Sequence, residues 1–303
     1  MPAGDFLVAI NGQNHYSASS SDAGDTWTQD GSFAGVVGTT FGGVAYSPAL
    51  GRLSILEAQN NVPDASYSDD LGVTWHNYTA INGNNEYRMA FCFGAYFVGG
   101  TAGIWSSTTG KGGWAQIGGT VGPNFGAWFE PSLGILALAG GNAAAPRTFY
   151  STDGVTFTAG NVAGMVVNQN LYAITYDRYR GKWFAMNAAG RIYSTPDIIN
   201  GPWTSLGVVA VPAAFNVSAI AFIPGGNGKI IAAVSGNGLY TSANDGVTFN
   251  IAVGVGTFND VIYSTTGKLV AVGSKIYNSP DGVTWTDRTG ALAGTFTAIA
   301  RIA

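Results

Sequence analysis

SDDLGVTW, residues 68–75, decides the fold, because the chain repeats it. Residues 20–27 read SSDAGDTW; residues 151–157 (STDGVTF) and 279–285 (SPDGVTW) carry the same pattern one residue shorter. Residues 242–249 (SANDGVTF) are a near match, and residues 106–114 (SSTTGKGGW) and 194–203 (STPDIINGPW) are decayed copies. The closing aromatics are Trp27, Trp75, Trp114, Phe157, Trp203, Phe249 and Trp285, at intervals of 48, 39, 43, 46, 46 and 36 residues. The mean is 43, and seven such periods account for nearly all of the 303 residues. A period of this length belongs to four-stranded propeller blades.

Each period resolves into four short runs, A to D. In the second period they are FGGVAYS (41–47), RLSILEA (52–58), ASYSD (65–69) and TWHNYTAI (74–81). A glycine marks the A–B turn in six periods, at Gly51, Gly94, Gly134, Gly181, Gly228 and Gly267. Run C carries an aromatic residue just ahead of the repeated motif, as at Tyr67, Tyr150 and Tyr277. Run B is almost wholly apolar, as in GILALAGG (134–141) and KIIAAVSG (229–236), which is the pattern of a strand covered on both faces. These readings predict an all-β, seven-bladed β-propeller of four-stranded antiparallel blades.

The first run, FLVAI (6–10), has the pattern of a B strand, and no A strand precedes it. The final run, FTAIARIA (296–303), has the A pattern of LYAITYD and VSAIAFI. The expectation is therefore a ring closed by pairing the C-terminal strand with the three N-terminal ones, which leaves no open sheet edge at the seam. The expected blades are residues 4–38 with 294–303, then 39–83, 84–121, 122–166, 167–212, 213–254 and 255–293.

Composition narrows function. Charged residues are 10% of the chain, against roughly 25% in ordinary soluble domains. The net charge is −4, and the 13 Lys and Arg form no basic run, which argues against nucleic-acid binding. No apolar stretch approaches the ~20 residues of a membrane helix, so membrane insertion is not expected. MPAGDF has no charged or apolar leader, and no signal peptide is read from it. The single cysteine, Cys92, sits in the apolar run AFCF and reads as a small buried hydrophobe. His15 and His76 fall in different periods, no closely spaced His or Cys ligands occur, and neither a metal nor a cofactor is expected.

The repeated motif resembles the Asp-box, or bacterial neuraminidase repeat, of sialidases, sortilin-type receptors and photosystem assembly factors. The likeness covers almost the whole chain, with four clear copies. It implies a structural role for the carboxylates Asp22, Asp70, Asp153, Asp245 and Asp281: each accepts backbone N–H groups in the C–D turn, the threonine begins strand D, and the Trp or Phe packs into the blade. Sialidases of this resemblance need three arginines gripping a carboxylate, a Tyr–Glu pair and an acidic Asp. This chain has eight arginines, and only Arg88 and Arg301 fall on A runs. Its only glutamates are Glu57, Glu86 and Glu130. No sialidase constellation can be assembled from these residues.

Alignment of the A runs puts Arg88 and Asp260 at equivalent positions, where other blades have Gly43, Gly126, Ala173, Ala219 and Ala298. Arg88, Asp260 and Glu86 are therefore the candidate ligand-binding residues of the central channel. Trp75, Trp114, Trp183 and Trp203 are candidates for glycan or protein contact, although blade packing is the expected role of each taken singly. The functional expectation is a non-enzymatic binding propeller that meets other proteins of a larger assembly, or surface glycans. Similar propellers occur in bacteriophage particles, which makes a tail- or capsid-associated virion component the expected setting. The alternatives are a divergent glycoside hydrolase, for which Glu86 and Asp260 are the available carboxylates, and an assembly factor of the photosystem II type.

Overall fold

A computed structural model describes residues 5–33, 41–57, 64–79, 86–100, 103–118, 124–142, 145–166, 170–187, 189–209, 217–223, 229–254 and 256–302. The described residues form seven four-stranded antiparallel sheets and no helix. Six sheets follow the chain in simple order, and the seventh mixes its two ends. Strand A of each blade lies innermost and touches strand A of the next, and the circle closes between Phe296–Ile302 of blade 1 and Phe41–Ser47 of blade 2.

The apolar B strands explain the ring. A strand points alternate side chains to opposite faces, and here each face meets a different blade. Leu136 and Leu138 pack with Phe97 and Ile104 of blade 3, whereas Ala137 and Ala139 pack with Trp183 and Tyr193 of blade 5. Ile230, Ala232 and Val234 face blade 5, while Ile231 and Ala233 face blade 7. Seven apolar clusters result, one in each cleft between neighbours. Each fully buried Leu, Ile or Val contributes roughly 1.5–3 kcal/mol, so an isolated blade would lose the burial of both faces.

Blade 1 is assembled from both ends of the chain. Strand Phe296–Ile302 pairs antiparallel with Phe6–Asn11, from Phe6↔Ile302 to Asn11↔Phe296. Phe296 is fully buried and meets the Tyr16 ring edge-on at 5.9 Å. The carbonyl of Ala293 accepts from Asn11 Nδ2 at 2.8 Å, Asn14 Nδ2 at 2.9 Å and the Tyr16 hydroxyl at 2.7 Å. The closing strand is thus held by a ladder, a core and a polar clasp.

A β-bulge recurs at the start of every strand A. The register shifts between its first and third residues: Phe41/Gly43, Glu86/Arg88, Asn124/Gly126, Leu171/Ala173, Val217/Ala219 and Phe258/Asp260, with the matching shift opposite Phe296 and Ala298 in blade 1. A bulge leaves one residue outside the ladder and bends the strand. Here it recurs in all seven inner strands, and in blades 6 and 7 it frees the carbonyls of the second residues, Ser218 and Asn259, for the channel.

Deleting residues 295–303 would uncover the edge of Phe6–Asn11 along its length. The expected result is aggregation or loss of a cooperative transition in urea. The milder Phe296→Ala should stay folded with stability lowered by about 3–5 kcal/mol; an unchanged midpoint would contradict the closure.

Candidate functional site

The C–D turns show what the repeated motif does. In blade 2, Asp70 Oδ1 accepts the Thr74 N–H at 2.8 Å and Oδ2 accepts the Thr74 hydroxyl at 2.6 Å. The Ser68 hydroxyl donates to Asp70 Oδ1 at 2.8 Å and accepts the Gly72 N–H at 2.8 Å. Asp22 repeats this pattern with Ser20, Gly24 and Thr26. In the shorter turns, Asp153 Oδ1 accepts the N–H groups of Val155 and Thr156, and Asp281 Oδ1 those of Val283 and Thr284. The N–H of Thr156, then that of Val155, holds the Asp153 carboxyl down at about 2. At Asp70 burial raises the value, but the bonds from Thr74 outweigh it and the net shift is downward.

Three details depart from the sequence reading. Because the carboxylate captures the threonine N–H, strand D begins only after the closing aromatic, at Thr28 and His76 in the first two blades. In blade 6 the carboxylate position is held by Asn244, not Asp245: Asn244 Oδ1 accepts from Ser242 Oγ at 3.0 Å and from the Thr248 N–H at 2.9 Å. Asp245 is the extra residue of the longer turn and has φ +59°, like Ala23 (+59°) and Leu71 (+63°) at the same place. Asp tolerates that left-handed conformation, and its carboxylate pairs with Arg180 of blade 5. The decayed copies are offset by one residue: Ser107 with Thr109 and Thr195 with Asp197 make the turn bonds.

The channel waist is the ring of third residues of the A strands. Neighbouring backbones approach so closely there that a Cβ on Gly43 would lie 2.6 Å from Met89 N, and one on Gly126 would lie 3.1 Å from Ile174 N. Into this ring of small residues project Arg88 and Asp260. Arg88 Nη1 donates to Asp260 Oδ2 at 2.6 Å, and Nη2 donates to the carbonyls of Ser218 and Asn259, each at 2.9 Å. Those carbonyls belong to the bulged second residues of blades 6 and 7. Asp260 is 8% exposed and also accepts the N–H groups of Val261 at 2.9 Å and Ile299 at 3.2 Å. The pair spans blades 3 and 7 and braces the waist beside a cavity of about 150 Å³. The backbone of Glu86 pairs with Gly100, and its side chain lies outside the described residues.

A second feature lies at the end of the channel where the A–B turns emerge. The sixth residues of the A strands, each preceding the turn by one position, are Tyr46, Phe91, Phe129, Tyr176, Phe222 and Tyr263, and in blade 1 Arg301. Their β-partners are equivalent as well, from Tyr46↔Leu53 to Arg301↔Leu7. Four of these residues, with Trp128 and Arg178, line a cavity of about 490 Å³. The signal lies in the sixth column of the aligned A runs, where six aromatic residues and one arginine stand.

The tryptophans are not surface platforms. Trp183 is 1% and Trp203 2% exposed, and Trp75 and Trp114 are half-buried against blade cores. The Trp203 Nε1 donates to Asn161 O at 2.8 Å. Cys92 is buried, and desolvation pushes its thiol far up. Among the described residues no three His, Cys, Asp or Glu side chains gather as a metal site.

Comparison with solved structures fits the same class, the seven-bladed propellers. A Bacteroides uniformis protein assigned as a 6-phosphogluconolactonase aligns over 98% of this chain and 99% of its own at 10% identity and TM-score 0.71. The structure of YCF48 bound to D1 peptide aligns over 95% and 89% at 12% identity and TM-score 0.61. The Niastella koreensis GH74 enzyme aligns over 94% of this chain and 55% of its own at 17% identity and TM-score 0.53. No family model matches the chain, and no curated protein matches it. Likeness at these identities speaks for the fold alone.

Two outcomes test the site. Arg88→Ala strands the Asp260 carboxylate in the waist and should cost about 3–5 kcal/mol in chemical denaturation. Arg88→Met combined with Asp260→Asn, which keeps an acceptor for Val261 and Ile299, should recover much of that loss. The Asp153 carboxyl is lower in the folded chain than its ordinary 3.8, so the unfolded chain takes up its proton first on acidification. Its stabilisation is therefore complete above about pH 4 and lost as pH falls towards about 2. Asp153→Asn should accordingly lose less stability than the parent between about pH 5 and pH 2.

Proposed function

We propose that this chain is a binding propeller that does no chemistry and engages other proteins. The observation that carries the reading is the state of the channel charges. Hydrolysis at a propeller waist needs two carboxyl groups about 5–10 Å apart, with at least one available to donate or attack. Asp260 is instead committed to Arg88 and to two backbone N–H groups. Among the other described carboxylates of the inner strands, Asp177 accepts from Arg180 and Glu130 from Arg178.

Protein partners are favoured over glycans because the tryptophans that would stack on sugars are used in blade packing. A solved neighbour of the same fold carries a bound peptide, which supports the reading by analogy of fold. The setting we propose is a larger assembly of the bacteriophage-particle kind, in line with the low charge and the Gly- and Ala-rich loops. Mass spectrometry of purified particles would find the chain there in stoichiometric amount.

The functional test is a panel of aryl-glycosides, sialosides and sugar lactones, on which no turnover is expected. Turnover that disappears in Asp260→Asn would replace this reading with an enzymatic one. Immobilised chain should also enrich a consensus from a random peptide library, and a library that emerges unenriched would count against it.

A further inference from the structure

The face that carries the A–B turns also carries the C–D turns, because successive strands of each blade run antiparallel. Exposed apolar side chains gather on this face among the described residues. Leu50, Phe93, Leu133 and Tyr179 project from A–B turns, at 45%, 39%, 44% and 73% exposure. The valines of four C–D turns, Val73, Val155, Val247 and Val283, are exposed beside them. The cavity of about 490 Å³ opens at the centre of the same face. Its size falls within the roughly 300–1,000 Å³ of ligand pockets.

Two arginines, Arg178 and Arg301, line this cavity, and the terminal nitrogens of each meet no carboxylate among the described residues; elsewhere on this face Lys229 donates to the Asp281 carbonyl. Arg52, Arg180 and Lys268 each reach a carboxylate. Arg178 is tied only through Nε, to the fully buried Glu130 at 2.7 Å, while its side chain stays 61% exposed. The Glu130 anchor fixes the plane of the fork, and no described residue accepts from the two terminal nitrogens. Arg301 forms no ion pair among the described residues; its one bond runs from Nη1 to Tyr263 O at 3.4 Å. Asp5 feels its field, but that carboxylate is bound to Thr265 and Thr266. Asp177, the carboxylate that lines the cavity, is spent on Arg180 and on the Tyr179 N–H.

We infer that this cavity receives an acidic peptide segment, with a carboxylate held between Arg301 and Arg178 and neighbouring apolar side chains against Trp128, Tyr176, Phe222 and Tyr263. A guanidinium fork matches a carboxylate with two parallel N–H bonds. Aromatic walls lower the local dielectric and strengthen that pairing relative to open water. The apolar turn residues extend the contact beyond the cavity, which fits a polypeptide better than a single sugar acid. The site deepens the binding function proposed above and rests on it.

The experiment is a titration of isotope-labelled chain with N-acetylated, C-terminally amidated Glu-Phe-Glu-Phe, followed by amide chemical shifts. Its all-Gln counterpart and glucuronic acid serve as comparison arms. The acidic peptide should shift amides around Tyr176, Tyr263 and Arg301, bind roughly tenfold more weakly to Arg301→Ala and to Arg178→Ala, and weaken as salt is raised. Arg301→Lys should retain part of the affinity, and Lys275→Ala, at a B–C turn on the opposite face, should retain all of it. Equal binding of the Gln peptide, indifference to both arginine variants, or tighter binding of glucuronic acid would overturn the inference. Shifts confined to the opposite mouth, around Asn259 and Ser218, would overturn it too while leaving a peptide-binding propeller in place. Absence of binding to any arm would remove the site, and the turnover panel would then judge the broader reading separately.

Discussion

Seven inner strands converge on one axis, and their backbones nearly touch. That crowding governs everything inside the ring. Where a Cβ on Gly43 would meet Met89 N at 2.6 Å, only the smallest residues fit the strands that face one another. The bulge at each A strand is the partner of this constraint, since it bends the strand before the tightest point and turns the second residue out of the ladder. Ser218 and Asn259 then link blade to blade: Ser218 Oγ donates to Phe258 O at 2.7 Å and Asn259 Nδ2 to Phe296 O at 2.8 Å. Their own carbonyls, released by the bulge, receive Arg88. A long cation fits the waist only because five of its six counterparts are Gly or Ala and the sixth is its carboxylate partner.

The outer part of the ring is held by a different device on the turn face. A cation at or near the start of strand B reaches into the C–D turn of the following blade. Arg52 donates to Thr109 O, Lys229 to Asp281 O, Arg180 pairs with Asp245, and Lys268 pairs with Asp25. Two of these contacts end on carbonyls, so no carboxylate in the sequence marks them. They are half-exposed and individually weak, but they tie neighbouring turns at the rim while the apolar clusters hold the blades at mid-height.

The architecture was legible because a period of about 43 residues and the alternation within each run are properties of the chain itself. The placement of Arg88 and Asp260 in the channel was legible from the alignment of columns, since equivalent positions of the innermost strands lie at one height around the axis, but their pairing with each other was not. The C–D turn was legible in its chemistry but not in its register. SANDGVTF offers an Asn and an Asp in succession, and only the αL conformation of the second residue, shared with Ala23 and Leu71, shows which one takes the staple. The tryptophans stayed open between surface contact and the blade packing they in fact serve, because aromatic composition does not reveal which face of a strand is covered. Trp183 opens strand B beside Tyr176 and is buried between blades 4 and 5.

Arg301 gains its meaning from this symmetry. In six blades its position carries an aromatic ring that packs against a neighbour, as Phe222 does on Phe184 at 4.5 Å and Phe129 on Phe93 at 5.2 Å. An arginine there gives up that packing, and within the described chain it receives in return only a long bond to a carbonyl. Arg88 departs from its own column in the same manner, yet Asp260 and two carbonyls compensate it fully. The uncompensated departure stands at the mouth of the larger cavity, next to Tyr263. A residue that gives up packing without gaining an internal ion pair is the departure on which the proposed carboxylate site rests, a planar positive fork standing beside aromatic rings.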